Sequence, residues 1–151
     1  MSAFPQRIYQ PSVKDVVAQL APARVSRNLE QTVAAVTVEQ TLFNVPNDMV
    51  FLLRQFHLVA SGGGAQTVVA LGGRIQDSTT AVTGRVGRER PGDKGLAAAP
   101  AELNYNWSGE MVLMPAEVLI SSCDFSAGAA GNFVRSAFNG ILIPRGNWQL
   151  A

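Results

Sequence analysis

The chain has 151 residues, of which 47% are hydrophobic and only 15% are charged, and its formal net charge is +1. That length suits one domain, and so small a net charge argues against an electrostatic role on nucleic acid or on a membrane surface. The sequence lacks the run of about 18 apolar residues that a spanning helix needs, and one cysteine, Cys123, cannot form an internal disulfide.

The low charge content indicates a protein that works in an assembly. Globular proteins are usually about one quarter charged, and a neutral surface is best tolerated when a partner covers it. Residues 1–7 lack the charged start and apolar run of a signal peptide, and a lone cysteine is typical of a reducing cytosol. We therefore expect that the protein is made in the cytoplasm and then joins an assembly. The alternative is a protein that stays monomeric.

Residues 1–28 differ from the rest of the chain and are predicted to form an N-terminal arm. Prolines interrupt this segment, and Ile8 and Tyr9 lie in a proline-flanked stretch that suits an extended arm. A short helix is predicted after Ser12, because apolar side chains recur there with helical spacing, namely Val13, Val16, Val17 and Leu20. So short a helix is marginal alone. We expect it to dock on its own domain or on a neighbouring subunit; a frayed terminus is the alternative.

Residues 29–151 change to the two-residue period of β-strands and are predicted to form one domain. Seven or eight short strands, separated by Gly, Pro and Asn turns, predict an all-β, jelly-roll-like antiparallel sandwich. The turn Gly62–Gly64 is predicted to join the strands on either side of it into a hairpin. The pair Gly72-Gly73 predicts a bulge or a close backbone approach, and Asn139-Gly140 predicts a bulge or tight turn.

The strand that begins near Met49 is apolar on both faces. This pattern predicts a central strand covered on two sides, or a strand at a subunit contact. Strict alternation assigns one face to Val50, Leu52, Phe56 and Leu58 and the other to Phe51, Leu53 and Val59.

The segment Gly84–Pro100 shows no period and is predicted to be a long loop. Loops of this length are usually functional or mobile, so an interaction loop for an acidic surface and a solvated loop both fit. Nucleic-acid binding is disfavoured because two acidic residues dilute the charge and no aromatic residue is present for base stacking. The basic residues of this segment are Arg85, Arg88, Arg90 and Lys94.

Few residues could carry catalysis. His57 is the single candidate base and lies mid-strand, so a locally hydrogen-bonded sheet residue is predicted. Cys123 has no basic neighbour to lower its pKa, which predicts a buried thiol. We therefore predict no catalytic residues, no metal and no cofactor. Glu110, Glu117 and Asp124 are close enough in sequence for a carboxylate pair, although surface charge explains them more simply.

Three stretches carry a resemblance to a known family. Thr41–Pro46 is followed by a strand, a glycine-rich turn and a strand, and later by Trp107–Glu117 and Gly140–Pro144. In this order they resemble small β-sandwich virion proteins of tailed bacteriophages. The resemblance implies a jelly-roll capsid cement (decoration) protein with an N-terminal arm. Such a protein would oligomerise, as a dimer or trimer, over joints between major capsid protein subunits on the capsid exterior.

The predicted function is therefore structural, with the major capsid protein and further copies of the chain as partners, and with neither nucleic acid nor membrane. One alternative is a head-fibre or tail-associated module that binds host glycans through exposed aromatic residues. Tyr105 and Trp107 share one face and are predicted to be core residues, so Trp148 is the better candidate. The other alternative is an enzyme or sugar-binding jelly roll with a carboxylate-lined pocket. The predicted partner-binding residues are Ile8, Tyr9, Val13, Val17, Leu20, Arg85, Arg88, Arg90 and Lys94.

Overall fold

A computed structural model describes the backbone of residues 23–148 and the side chains of residues 23–146. A 3₁₀ turn at Pro91–Lys94 follows the fifth strand, and a short helix, α1 (Arg145–Trp148), follows the last. Within residues 23–148 no helix is long and apolar enough to cross a membrane. The strands are β1 (Ala23–Val33), β2 (Thr37–Asn44), β3 (Met49–Ser61), β4 (Val68–Gln76), β5 (Val82–Glu89), β6 (Glu102–Leu113), β7 (Val118–Phe125) and β8 (Asn132–Pro144).

The eight strands form two four-stranded antiparallel sheets. One sheet has the order β1-β8-β3-β6 and is called the 1-8-3-6 sheet below; the other has the order β2-β7-β4-β5 and is called the 2-7-4-5 sheet. The first strand pairs with the eighth, the second with the seventh, the third with the sixth and the fourth with the fifth. A long antiparallel ribbon folded over itself gives this order, which is that of a jelly roll. The predicted all-β sandwich is confirmed.

Aromatic side chains join the two sheets at the centre of the core. Phe43 comes from β2, whereas Phe51 and Phe138 come from β3 and β8 of the opposite sheet. The Phe43 and Phe51 ring centroids lie 4.7 Å apart, and Phe51 meets Phe138 edge to face at 6.0 Å. Such pairs contribute about 0.5–1.5 kcal/mol beyond the burial of their area. The cluster therefore fixes how the sheets stack.

A buried polar bridge also links the sheets. Gln40 on β2 and Ser121 on β7 face Ser136 on β8, and all three side chains are buried. Both serine hydroxyls hydrogen-bond the Gln40 amide oxygen, and the two hydroxyl oxygens lie 2.9 Å apart. Since a buried polar group without a partner costs about 1–3 kcal/mol, this bridge favours one alignment of the two sheets.

One extra residue in β3 changes the direction in which its side chains point. Leu53 and Gln55 pair with the consecutive residues Gly140 and Asn139 of β8, so Arg54 is a bulge against that strand. The register against β6 shifts at the same point, where two residues of β6 lie opposite Arg54. As a result Leu53 and Phe56, three positions apart, both enter the core. Strict alternation across this point, which placed Leu52 and Phe56 on one face, is wrong. The prediction that this strand is central is confirmed, since it lies between β8 and β6.

The glycine predictions have mixed outcomes. The hairpin around Gly62–Gly64 is wrong, because β3 and β4 belong to different sheets and the turn crosses between them. The close approach at Gly72-Gly73 is confirmed: a Cβ on Gly72 would lie 2.2 Å from the Gly87 carbonyl oxygen, and one on Gly73 2.8 Å from the Phe56 ring. Asn139-Gly140 makes no turn, since β8 runs through it and the bulge lies opposite, on β3.

The beginning of the first strand bears on the predicted arm. Strand β1 begins at Ala23 and pairs there with Leu142, so the predicted boundary at residue 28 falls inside a strand. Residues 1–22 lie outside the described part of the chain. The arm, its short helix and its predicted contact residues (Ile8, Tyr9, Val13, Val17 and Leu20) therefore stay predictions.

Gly140→Ala tests the packing around the bulge. A Cβ at this position would lie 2.3 Å from the Leu52 carbonyl oxygen and 2.4 Å from the Phe51 ring, so we expect a loss of about 1–3 kcal/mol in the free energy of unfolding, as for overpacked cores. Urea unfolding measures it. Gly92→Ala is the matched control, because nothing lies within 4 Å of its added Cβ. Equal stability of the two variants would contradict the register.

Candidate functional site

The four basic residues of the predicted loop separate into two groups. Strand β5 contains Arg85 and Arg88, so the prediction of a loop from Gly84 is wrong for this half of the segment. Arg90 precedes the 3₁₀ turn and Lys94 ends it, with the Lys94 amine donating to the Asn104 side-chain oxygen at 2.9 Å. The structure thus groups Arg85 with Arg88 on one strand and leaves the other two on the adjoining turn.

A local irregularity in β5 puts its two arginines on one face. Arg85 pairs with Arg74 and Arg88 pairs with Gly72, and the register against β4 shifts between these pairs. Val86 turns into the core, where it is 5% exposed, and Gly87 adopts φ 153° opposite Gly73. Both arginines therefore reach the outer face of the 2-7-4-5 sheet although they are three positions apart.

Around them lies a depression of about 290 Å³, called the arginine depression below. Its floor consists of the small residues Ala70, Gly72 and Ser122. Its rim includes Val82 and the charged residues Arg74, Arg85, Arg88 and Asp124. Small floor residues between long cationic ones let a partner's side chain approach the guanidinium groups closely.

Ion pairs orient two of the three arginines. The Arg74 guanidinium lies 2.9 Å from a Glu39 carboxylate oxygen, and that of Arg88 lies 3.3 Å from Asp124, which also accepts from Thr37 at 2.9 Å. Exposed pairs of this kind contribute about 0–1 kcal/mol to stability. None of the three ion pairs within residues 23–146 includes Arg85. Its planar guanidinium is the group best placed to bind an external carboxylate with two hydrogen bonds.

The opposite sheet carries a different surface. His57 points outward from the middle of β3, as a sheet residue flanked by Asn106 and Ala137. It lines a groove of about 550 Å³ on the outer face of the 1-8-3-6 sheet. The two grooves therefore lie on opposite sides of the sandwich.

The candidate catalytic groups do not converge. Glu110 lines a groove on the outer face of the 1-8-3-6 sheet, Glu117 accepts from the Met114 amide and the Thr83 hydroxyl at the β6–β7 turn, and Asp124 lies on the other sheet. Within residues 23–146 no group of three or more His, Cys, Asp or Glu side chains is arranged to hold a metal. The three carboxylates thus lie in three separate places and do not form a pair.

Cys123 and the aromatic pair on β6 belong to the interior. Cys123 is 1% exposed, which confirms the buried thiol, and burial, with a smaller effect of Asp124, raises its pKa to about 12. Tyr105 and Trp107 pack against the core as predicted. The Tyr105 hydroxyl donates to the Val86 carbonyl at 3.0 Å, and burial, followed by the charge of Glu89, raises its pKa. The side chain of Trp148 lies outside the described part.

The sequence and the structure were both compared with those of known proteins. The sequence matches no protein-family model and no curated protein. Solved structures similar to it include VP2 in the subviral particle of infectious bursal disease virus, with TM-score 0.39, 13% identity, and coverage of 86% of this chain and 34% of that chain. The capsid asymmetric unit of cyanophage Pam1 has TM-score 0.42 and 10% identity, with coverage of 80% of this chain and 84% of that chain. PirA has TM-score 0.42 and 8% identity, with coverage of 74% of this chain and 92% of that chain. The chain thus spans about a third of VP2, and these likenesses add nothing to the topology described above.

The buried thiol predicts a loss of stability at alkaline pH. Because folding raises the Cys123 pKa from 9.0 to about 12, the folded state keeps its proton when the unfolded chain has lost it. The resulting stabilisation is complete below about pH 9 and is lost as the pH rises toward 12. Urea unfolding at neutral and alkaline pH measures it. Cys123→Ala should show a smaller alkaline decline than the unsubstituted chain; equal declines would contradict the burial of the thiol.

Proposed function

We propose that this protein is a capsid decoration (cement) protein of a tailed bacteriophage, made in the host cytoplasm and bound to the capsid exterior. The sequence resemblance suggests the class of protein. The observation that carries the proposal is the arginine depression, a preformed cationic hollow on the outer face of a rigid sheet. It suits an acidic side chain on a neighbouring major capsid protein subunit.

The charges of the depression support specific docking. Glu39 and Asp124 pair with Arg74 and Arg88, which reduces the side-chain freedom that these arginines lose when a partner binds. Arg85 then supplies the guanidinium that a partner carboxylate pairs with, over the floor at Gly72 and Ser122. Electrostatic complementarity of this kind fixes register and partner choice as well as adding affinity.

Several modest contacts would make the attachment tight. We expect segment 1–22 to contact a neighbour, as predicted from the sequence, and edge strand β1 can pair with a second copy of the chain to give the proposed dimer or trimer. Linked contacts act at high effective concentration, so their combined affinity exceeds that of each. Because the protein would bind the assembled lattice and not free subunits, it would stabilise the shell by mass action.

An addition assay tests this function. Purified protein is mixed with expanded shells assembled without it, and bound protein and shell melting temperature are measured. We expect saturable binding and a raised melting temperature, with weaker binding after deletion of residues 1–22. Absence of binding by the full-length chain, or saturation without any change in shell stability, would contradict the proposal.

Arg85→Ser tests the docking surface in the same assay. We expect shell binding to weaken by about thirtyfold or more, since removing one partner of a buried charge pair costs about 2–5 kcal/mol. The matched control is Arg135→Ser, because Arg135 lies on the outer face of the opposite sheet, 4.0 Å from Glu30. Equal weakening by the two variants would show that the arginine depression is not the docking surface.

A further inference from the structure

The outer face of the 1-8-3-6 sheet bears a patch of uncharged polar side chains. Two neighbouring rows cross all four strands, and their outward positions are occupied by amides, hydroxyls, one imidazole and one alanine. The first row is Ser26, Asn139, Gln55 and Ser108, and the second is Asn28, Ala137, His57 and Asn106. We call these eight positions the amide face.

The surroundings of the amide face differ sharply from it. On one side the next row contains Glu30 opposite Arg135, a charged pair. On the other side the next row contains the apolar residues Ile141, Leu52 and Val112 and ends at Arg24 on β1. The charged residues Arg54 and Glu110 line the groove on that side. The uncharged polar character is therefore confined to the middle of the sheet. Core packing does not require polar residues at these eight positions, because their side chains point away from the core.

The amide face is also hollow. Its residues line the groove of about 550 Å³, and Ala137 contributes a short side chain at its centre, between Asn28 and His57. The alternate residues of the same strands that also line the groove are Arg27, Phe56, Trp107 and Phe138. A groove that crosses four strands accommodates a chain-like ligand laid across them. Its volume lies within the range of about 300–1,000 Å³ usual for ligand sites.

Most of the hydrogen-bonding capacity of the amide face is unused within the described residues. The one side-chain hydrogen bond found between two of its members runs from the Asn139 amide nitrogen to the Gln55 amide oxygen, at 2.6 Å. Asparagine, glutamine and serine side chains each offer donors and acceptors. No carboxylate, amine or guanidinium lies at the eight positions, so the face matches a ligand with neighbouring neutral donors and acceptors.

We propose that the amide face binds a neutral glycan through its hydroxyl groups. Sugar hydroxyls donate and accept like the side chains that line the groove, whereas an anionic ligand would favour the arginine depression. A protein partner fits less well, because the cores of protein interfaces are enriched in aromatic residues and Met and the two rows present neither. This site goes beyond the proposed function: it lies on the opposite sheet from the arginine depression and would face outward from a decorated shell.

Asn106→Ala tests the site on the full-length chain. The probes are neutral oligosaccharides of glucose, mannose, galactose and N-acetylglucosamine on an array, followed by titration calorimetry with any that bind. We expect binding to at least one probe and a loss of about tenfold or more in Asn106→Ala, which removes a donor and an acceptor. The matched control is Asn104→Ala, the same residue type one row away on the same strand, opposite Val59; it should retain binding.

Other outcomes overturn the inference. These are no binding to any neutral probe, equal loss in Asn106→Ala and Asn104→Ala, or binding only to acidic glycans that is abolished by Arg85→Ser. Thermal unfolding of each variant verifies that it is folded, and His57→Gln provides a second substitution in the row. Shell binding by Asn106→Ala should be unchanged; its loss would identify the face as a protein contact. The decoration role and the glycan site therefore fail separately.

Discussion

The bulge at Arg54 is the constraint on which the rest of the structure depends. Strand β3 lies between β8 and β6, so both neighbours must follow its register. Without a bulge, regular alternation through Arg54 would point Phe56 out of the sandwich and His57 into it, because a shift of one residue exchanges the faces of a strand. With it, the core stays continuous along the strand. The same shift changes the outer face from apolar at Leu52 to polar at Gln55, which creates the amide face.

A register irregularity also redirects side chains on the opposite sheet. The irregularity in β5 turns Val86 into the core and directs Arg85 and Arg88 outward, which forms the arginine depression. Bulges re-aim side chains while the sheet around them stays paired. Two surfaces of opposite chemistry, one cationic and one neutral, are thus built on a single apolar core that is fixed by the phenylalanine cluster and the Gln40 bridge.

The sequence was sufficient to predict what depends on local pattern. Alternation and turns predict an all-β jelly roll and inward-facing aromatic residues on β6, and the lack of a basic neighbour predicts a buried Cys123. The sequence is insufficient to predict features that depend on which strands pair with each other. Glycines and arginines hide the two-residue period of β5, so the pattern there predicts a loop. The glycine-rich turn predicts a hairpin of β3 and β4, because the sheet to which each strand belongs is set by pairing with distant strands. Arg74, which no loop pattern includes, joins the arginine depression only through its pairing with Arg85.

The orientation of the sandwich on a shell tests the central claim most directly. Electron cryomicroscopy of shells saturated with the protein would resolve which sheet faces the capsid. The account predicts density on the shell exterior into which the sandwich fits with its 2-7-4-5 sheet inward, with Arg85 against an acidic side chain of a capsid subunit and the amide face toward solvent. A sandwich bound through the 1-8-3-6 sheet, or no added density at saturating concentration, would contradict it.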